Sequence, residues 1–268
     1  MKKLLSLGIL MFILSFAVQA RAYSYWTSST KLGYGFFQYS EQYGAETKGG
    51  EYSLKQRFNY HNNLFLLSIK GSLGIVPGTY TGFGQTNGVA TTGSVYYSLE
   101  NFSIGAGIDP RLMGGLMQNE LYLSLGDMTH DFMAGNSTFS NGATGYDESY
   151  QIKYLSLTYK NIYAFNPVVS NVFKAEYLKG FSGTATTKGF NYQLHGYPAP
   201  NFEFNLGGED GYTLAEGVRY RLNDSFSITG DVYYSALFLK HSNINDYFYE
   251  PSSTTRQYGI QVGLHVAF

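Results

Sequence analysis

The last twelve residues, Gln257-Tyr-Gly-Ile-Gln-Val-Gly-Leu-His-Val-Ala-Phe268, decide the fold. The large apolar side chains of this stretch fall on every second position: Tyr258, Ile260, Val262, Leu264, Val266 and Phe268. The positions between them carry glutamine, glycine, histidine and alanine. Strict alternation over this length predicts a β-strand with one apolar face and one small or polar face.

The same alternation recurs along the chain. It predicts ten strands, at residues 30–42, 49–60, 64–76, 94–109, 118–133, 147–160, 171–182, 211–222, 226–241 and 254–268. A closed barrel lets such strands satisfy every backbone group in lipid. We therefore predict an all-β, closed, antiparallel up-and-down transmembrane barrel of about ten strands. Eight is the lower alternative, and a hairpin through 202–206 would give twelve.

The aromatic content supports a barrel in a membrane. The chain has 26 Tyr and 20 Phe, yet its mean hydropathy is −0.18. Aromatic rings with a polar tip suit the two water–lipid interfaces of a membrane barrel. The alternative is a soluble secreted β-protein. Outward Leu121, Leu123 and Leu125 argue against it, because a soluble surface rarely carries such a continuous apolar band.

The N-terminus predicts export. Two lysines at positions 2 and 3 precede an apolar run and a group of small residues, which is the form of a signal peptide over residues 1–20. Cleavage would follow Ala20 or Ala22. Residues 21–268 then form a single barrel domain. With no cysteine in the chain, disulfides, thiolate metal sites and cysteine nucleophiles are excluded.

The connections predict an orientation. Short polar turns at 61–63, 110–117, 161–170 and 223–225 alternate with loops at 43–48, 77–93, 134–147, 183–210 and 242–253. In outer-membrane barrels the short turns face the periplasm and the long loops face outwards. We therefore expect the outer membrane of a Gram-negative bacterium, with the long loops extracellular.

The final strand also indicates a partner. Its apolar face and terminal aromatic resemble the C-terminal assembly signal of outer-membrane barrels; the residues that carry it are Tyr258, Val262, Leu264, Val266 and Phe268. The resemblance implies recognition by the barrel-assembly machinery. Outer-membrane lipid and lipopolysaccharide are the other expected partners. A net charge of −1 with no basic run gives no indication of nucleic-acid binding.

The alternate strand positions whose side chains face the barrel interior carry charges of both signs. They are Lys55, Arg57, Lys70, Glu120, Lys174, Glu176, Arg219, Arg221 and Asp231. A barrel of ten strands is only slightly wider than those that side chains fill, so one interpretation is a network of paired charges. The other is a small pore whose charges set ion selectivity. On the outward parity Glu216 is an exception, and we expect it above the outer aromatic girdle, where a charge costs little.

The histidines are the remaining candidates for chemistry. We expect His61 to be solvated in a turn, and His130 and His195 to lie near acids such as Asp131 and Asp210 at the outer rim. A histidine beside an acid can act as a general acid or base. No metal-ligand spacing is present, so no metal or other cofactor is predicted.

The layout resembles the omptins, outer-membrane proteases with ten-stranded barrels. The stretch 179–183 leads into a long fourth loop with one histidine, His195. The resemblance implies an Asp-x-His pair there and two acids in the second loop. Here Gln193 replaces the aspartate, and residues 77–93 contain no acid. The sequence thus favours a non-enzymatic barrel, a small pore or a surface or structural component, with an omptin-like endopeptidase using His195 and a nearby acid as the alternative.

Overall fold

The computed structural model describes residues 24–62, 64–83, 89–112, 116–135, 137–142, 144–188, 193–194, 197–198, 201–244 and 249–268. The predicted signal peptide and His195 lie outside these residues. Within them, no helix is long and apolar enough to cross a membrane.

Ten long antiparallel strands form the barrel. They are β1 (Ser24–Glu41), β2 (Glu46–Asn62), β3 (Phe65–Phe83), β4 (Ala90–Ile108), β5 (Met117–Met133), β6 (Asp147–Ala164), β7 (Val169–Lys188), β8 (Glu209–Arg221), β9 (Phe226–Leu239) and β10 (Ser253–Ala267). Each strand pairs with its neighbours in sequence, and β1 pairs with β10. The sheet is therefore closed, which confirms the predicted fold class.

The barrel has two different ends. At the turn end, β1 starts, β10 stops, and residues 63–64, 109–116, 165–168 and 222–225 connect strands. At the loop end, residues 42–45, 84–89, 134–146, 189–208 and 240–252 connect them. This alternation of connections agrees with the sequence prediction.

Side-chain alternation matches the closed sheet. On β5, Leu123 and Leu125 are 52% and 62% exposed, whereas Tyr122 between its leucine neighbours is 3% exposed. An outer face of this kind is an apolar band that runs around the barrel. Aromatic pairs lie at both edges of the band: Trp26 contacts Tyr60 near the turn end, with ring centroids 5.0 Å apart. Phe36 contacts Tyr258 towards the loop end, at 5.3 Å.

Most strands are longer than the sequence predicted, whereas β9 ends two residues earlier. β3 continues past Pro77 into residues we expected to be a loop. Proline has no N–H to donate to a ladder. The pairing of β2 with β3 is interrupted at this point, between the pairs Gly49–Gly78 and Tyr52–Ile75. The missing donor is thus accommodated without ending the strand.

Within the described residues, no eleventh or twelfth barrel strand forms. The fourth connection contains three short strands: Gln193–Leu194 pairs with Tyr197–Pro198, and Glu203–Asn205 pairs with residues 184–186 of β7. Phe202 and Phe204 are almost fully buried. Residues 202–204 of this connection therefore pack into the barrel mouth.

The side chain of Glu216 faces outwards, as its alternate position on the strand predicted, but it does not lie above the outer ring of aromatic residues. It lies on the outer face of β8 between Leu214 and Val218 and pairs across the sheet with Phe173 and Val232. The side-chain amide of Asn171 donates a hydrogen bond to its carboxylate. The predicted strand was right and the predicted height was wrong. Alternation fixes the face of a side chain, whereas its depth depends on the stagger between tilted strands.

Candidate functional site

The half of the interior nearer the loop end is filled by apolar side chains. One buried cluster contains Phe37, Tyr39, Val76, Val95, Tyr97, Leu99, Phe132 and Ala134. A second contains Tyr150, Ile152, Tyr154, Leu178, Ala185, Phe202, Phe204, Leu237 and Leu239. We call these two clusters together the aromatic plug. Loop residues complete it: the ring of Phe139 stacks on Tyr80 at 5.3 Å, and Phe202 and Phe204 come from the fourth connection.

The half nearer the turn end is filled by charges. The Lys70 ammonium lies 2.8 Å from Glu176, and Lys174 lies 2.5 Å from the other oxygen of the same carboxylate. Lys160 binds Glu120 at 2.6 Å. These contacts divide the lumen, and cavities of about 160 and 140 Å³ remain between them.

The other predicted lumen charges also face inwards. Arg57 donates to the Tyr122 hydroxyl, and Lys55 lies 4.4 Å above the ring of Tyr233. Asp231 pairs with Lys31. The sequence prediction omitted Lys31 and Lys160, which supply two of the partners. Alternation along their strands places both lysines on the inward face. It does not reveal their partners, which are on strands distant in sequence.

His61 is not a solvated turn residue. It belongs to β2 and is 3% exposed. Its Nδ1 lies 2.7 Å from Asp109 Oδ2, and the Tyr25 ring stacks on it at 4.5 Å. Gln118 donates to the same carboxylate oxygen at 2.9 Å. Strand β2 extends to Asn62, which carries His61 into the lumen instead of a turn.

The candidates for an omptin-like site are dispersed within the described residues. His130 lines the interior cavity of about 160 Å³. Asp131 follows it in the same strand, so its side chain is on the opposite face. Asp210 is half-exposed, and it accepts hydrogen bonds from Lys179 at 2.9 Å and from Tyr177 at 2.7 Å. No shared site of these residues forms in the described part of the chain, and His195 lies outside it.

A different group of acids meets at the loop end. Glu41 ends β1, Glu148 is the second residue of β6, and Glu250 precedes β10. We call these three residues the acidic mouth. The Tyr150 hydroxyl donates to Glu250 at 2.6 Å and lies 2.9 Å from the Tyr39 hydroxyl.

A further hydroxyl contact, from Tyr39, links Glu41 to this network. Tyr39 donates to Glu41 at 3.2 Å, so two tyrosines connect Glu41 with Glu250. Burial, together with repulsion from Glu250, raises the pKa of Glu148 well above its ordinary value. No described lysine or arginine forms an ion pair with any of the three. One oxygen of Glu148 is buried without a partner.

Burial and mutual repulsion raise the affinity of these acids for protons. Burial, with repulsion from Glu250, raises the pKa of Glu41 to about 7. The pKa of Glu148 lies well above its ordinary value for the same two reasons. Burial also raises the pKa of Glu250. Near neutral pH the acidic mouth therefore holds protons that a bound cation could displace.

The acidic mouth lines a cleft of about 340 Å³. Aromatic rings make up most of its other walls: Tyr43, Tyr80, Phe83, Tyr146, Phe202, Phe204 and Tyr249. Tyr43 and Phe83 are more than half exposed, so the cleft opens to the outside. Carboxylates and aromatic faces together attract cations. Among the described residues, no group of three or more His, Asp or Glu side chains could hold a metal ion.

This site was not predicted from the sequence. Its three acids are separated by about a hundred residues each, and no spacing rule connects them. Glu41 and Glu148 do lie on the inward parity at the loop ends of their strands, which was the one available signal. Only the closure of the barrel brings them together.

Similarity to known proteins exists at the level of structure. No family model matches the sequence, and no curated protein matches it. The outer membrane protease OmpT from Escherichia coli has a similar structure, with a TM-score of 0.60 at 10% identity, covering 91% of this chain and 97% of that chain. The translocator domain of the autotransporter NalP from Neisseria meningitidis gives a TM-score of 0.44 at 12% identity, covering 98% and 95%. The likeness to OmpT shows that the chain has the fold of an outer-membrane β-barrel.

Proposed function

We propose that this protein is an integral outer-membrane barrel, with its loop end outside a Gram-negative cell, that binds an organic cation in the acidic mouth. Its role is that of a non-enzymatic surface protein. The observation that carries the proposal is the acidic mouth itself, three carboxylates that line an aromatic cleft and lack a cationic partner among the described residues.

The outer face supports the location. Its exposed apolar band would face outer-membrane lipid, and lipopolysaccharide would surround the loop-end half. The terminal strand, with Leu264 and Phe268 exposed, supports recognition by the barrel-assembly machinery. The long connections at one end support the proposed orientation, since such barrels expose their long loops.

The filled interior favours a surface role over a pore. The aromatic plug occupies the loop-end half of the lumen, and the Lys–Glu pairs occupy the other half. A conducting barrel needs a continuous aqueous path, which barrels of this width seldom leave. We expect no stable conductance steps in planar bilayers.

The size of the cleft indicates the class of ligand. A volume of about 340 Å³ accommodates a small amine, a guanidinium or a single basic side chain. A cation over the rings contributes about 0.5–2 kcal/mol, and pairing with a desolvated carboxylate adds to it. Because the cation competes with protons on Glu41, affinity should rise between pH 5.5 and pH 8.

Titration calorimetry of the refolded barrel in detergent tests this proposal, with spermidine and arginine amide as probes. We expect saturable binding, weakened at least tenfold in the variant E41Q/E148Q/E250Q. The matched control is Glu100→Gln, which removes an exposed acid remote from the cleft. Absence of binding to the wild type, or equal affinity in the triple variant, would overturn the proposal.

An omptin-like endopeptidase is the alternative. It is supported by the similarity of the barrel to that of OmpT, and an acidic cleft would also accept a basic peptide side chain. Cleavage of basic peptides by the refolded protein, lost in His195→Ala, would establish this alternative. Cleavage that continues unchanged in His195→Ala would exclude His195 as its base.

A further inference from the structure

A second polar cavity lies at the turn end of the barrel. Its volume is about 250 Å³, and its lining includes Arg219, Arg221, Lys160 and His265. Both arginines are on β8, and residues two apart on a strand point to the same face. The two guanidinium groups therefore face one cavity.

The arginines have no acidic partner among the described residues. Neither forms an ion pair within 4.0 Å. The Nε of Arg219 is buried without a hydrogen-bond partner. An unsatisfied buried donor is unfavourable, more so when it carries charge. Arg219 thus holds a buried donor that no described side chain accepts from within hydrogen-bond distance.

Of the acids in the same region, Glu120 and Asp109 each have one oxygen that accepts a hydrogen bond and one buried oxygen without a partner. Glu120 accepts from Lys160 at 2.6 Å. Asp109, which adjoins the cavity, accepts from His61 at 2.7 Å and from Gln118 at 2.9 Å. Asp224 is exposed in the turn between β8 and β9. Both guanidinium groups keep donors that none of these carboxylates accepts within 4.0 Å.

We propose that this cavity binds an oxyanion, a phosphate or carboxylate group that enters from the turn end. Arginine presents a planar fork of donors that matches both groups in bidentate geometry. The aromatic plug and the Lys–Glu pairs obstruct approach from the loop end. This site is separate from the acidic mouth, so the proposal goes beyond the cation-binding role and does not depend on it.

Calorimetric titration of the refolded barrel at low ionic strength tests the site, with inorganic phosphate in one arm and succinate in the other. We expect saturable binding of at least one anion, weakened at least tenfold in R219Q/R221Q and weakened by added salt. Tighter binding of phosphate identifies a phosphate group as the ligand, and tighter binding of succinate identifies a carboxylate. The matched control is Arg256→Gln, an arginine on the outer face, which should leave the affinity unchanged.

Two further variants keep the test independent of folding. Arg221 is exposed, so Arg221→Gln alone should fold and should still weaken binding several-fold. R219K/R221K retains the charge but loses the fork, and we expect intermediate affinity. The proposal is overturned if wild-type protein binds neither anion at millimolar concentration, or if folded R221Q and R219Q/R221Q bind as tightly as wild type.

Discussion

Replacing Glu41 by glutamine should change how the stability of the barrel depends on pH. Burial, together with repulsion from Glu250, raises the pKa of Glu41 from 4.5 to about 7. A group with a raised folded-state pKa is favourable below its unfolded pKa, and this contribution is lost as the pH rises through the folded pKa. The contribution of Glu41 to stability should therefore be more favourable at pH 4.5 than at pH 8.

The size of the pKa shift of Glu41 sets the expected change in the free energy of unfolding. Each pKa unit corresponds to about 1.4 kcal/mol, so the change from 4.5 to about 7 gives an upper limit of roughly 3 kcal/mol for Glu41 alone. Glutamine retains the shape and cannot ionise. Glu41→Gln should thus gain up to about 3 kcal/mol over wild type at pH 8 and nothing at pH 4.5.

Urea unfolding of the barrel in lipid vesicles measures this difference, with tryptophan fluorescence at pH 4.5, 6, 7 and 8. Comparison of variant with wild type cancels the contributions of titrating groups that do not interact with Glu41, whereas relief of the repulsion on Glu148 adds to the gain at pH 8. Glu100→Gln, at an exposed position, is the control and should follow the wild-type curve. If wild type and Glu41→Gln have the same pH slope, the assignment of Glu41 as a buried, repelled acid is refuted.

Three further predictions concern the band, the turn end and the plug. Leu123→Arg, at the middle of the outer face, should cost about 2–4 kcal/mol of unfolding free energy in vesicles; no loss would place this face away from lipid. Asp109→Asn should lower the free energy of unfolding in urea by about 1–3 kcal/mol, because His61 loses its buried carboxylate partner, and an unchanged free energy would contradict that pairing. Phe202→Ala and Phe204→Ala should each cost about 3–5 kcal/mol if the plug is packed as described, and thermal unfolding that matches wild type would contradict it.

The sequence predicted the barrel because alternation is a local property. Every second side chain along β5 or β10 reports the same environment, so the strands and their faces could be assigned one by one. Properties that depend on neighbouring strands were not accessible. The height of Glu216 depends on strand stagger, and the continuation of β3 past Pro77 depends on an interruption in its pairing with β2.

The candidate sites lay beyond local pattern for the same reason. Glu41, Glu148 and Glu250 come from three separated segments that meet only when the barrel closes. Arg219 and Arg221 were assigned to the lumen by parity, but their lack of acidic partners could be seen only once every other strand was in place. Sequence therefore indicates which face a charge occupies, and the closed sheet determines which charges meet.

A closed ring of strands in a membrane places the odd-numbered residues of β5 against lipid. The even-numbered residues of β5 then face the interior. The chain has no native cysteine, so single cysteines at positions 121 to 125 can each carry a nitroxide in the refolded, lipid-embedded protein. Spin-label accessibility to oxygen and to a water-soluble nickel complex is the direct measurement. We predict high oxygen accessibility at 121, 123 and 125 and low accessibility at 122 and 124. Accessibility that does not alternate, or nickel accessibility that is uniformly high, would contradict the barrel.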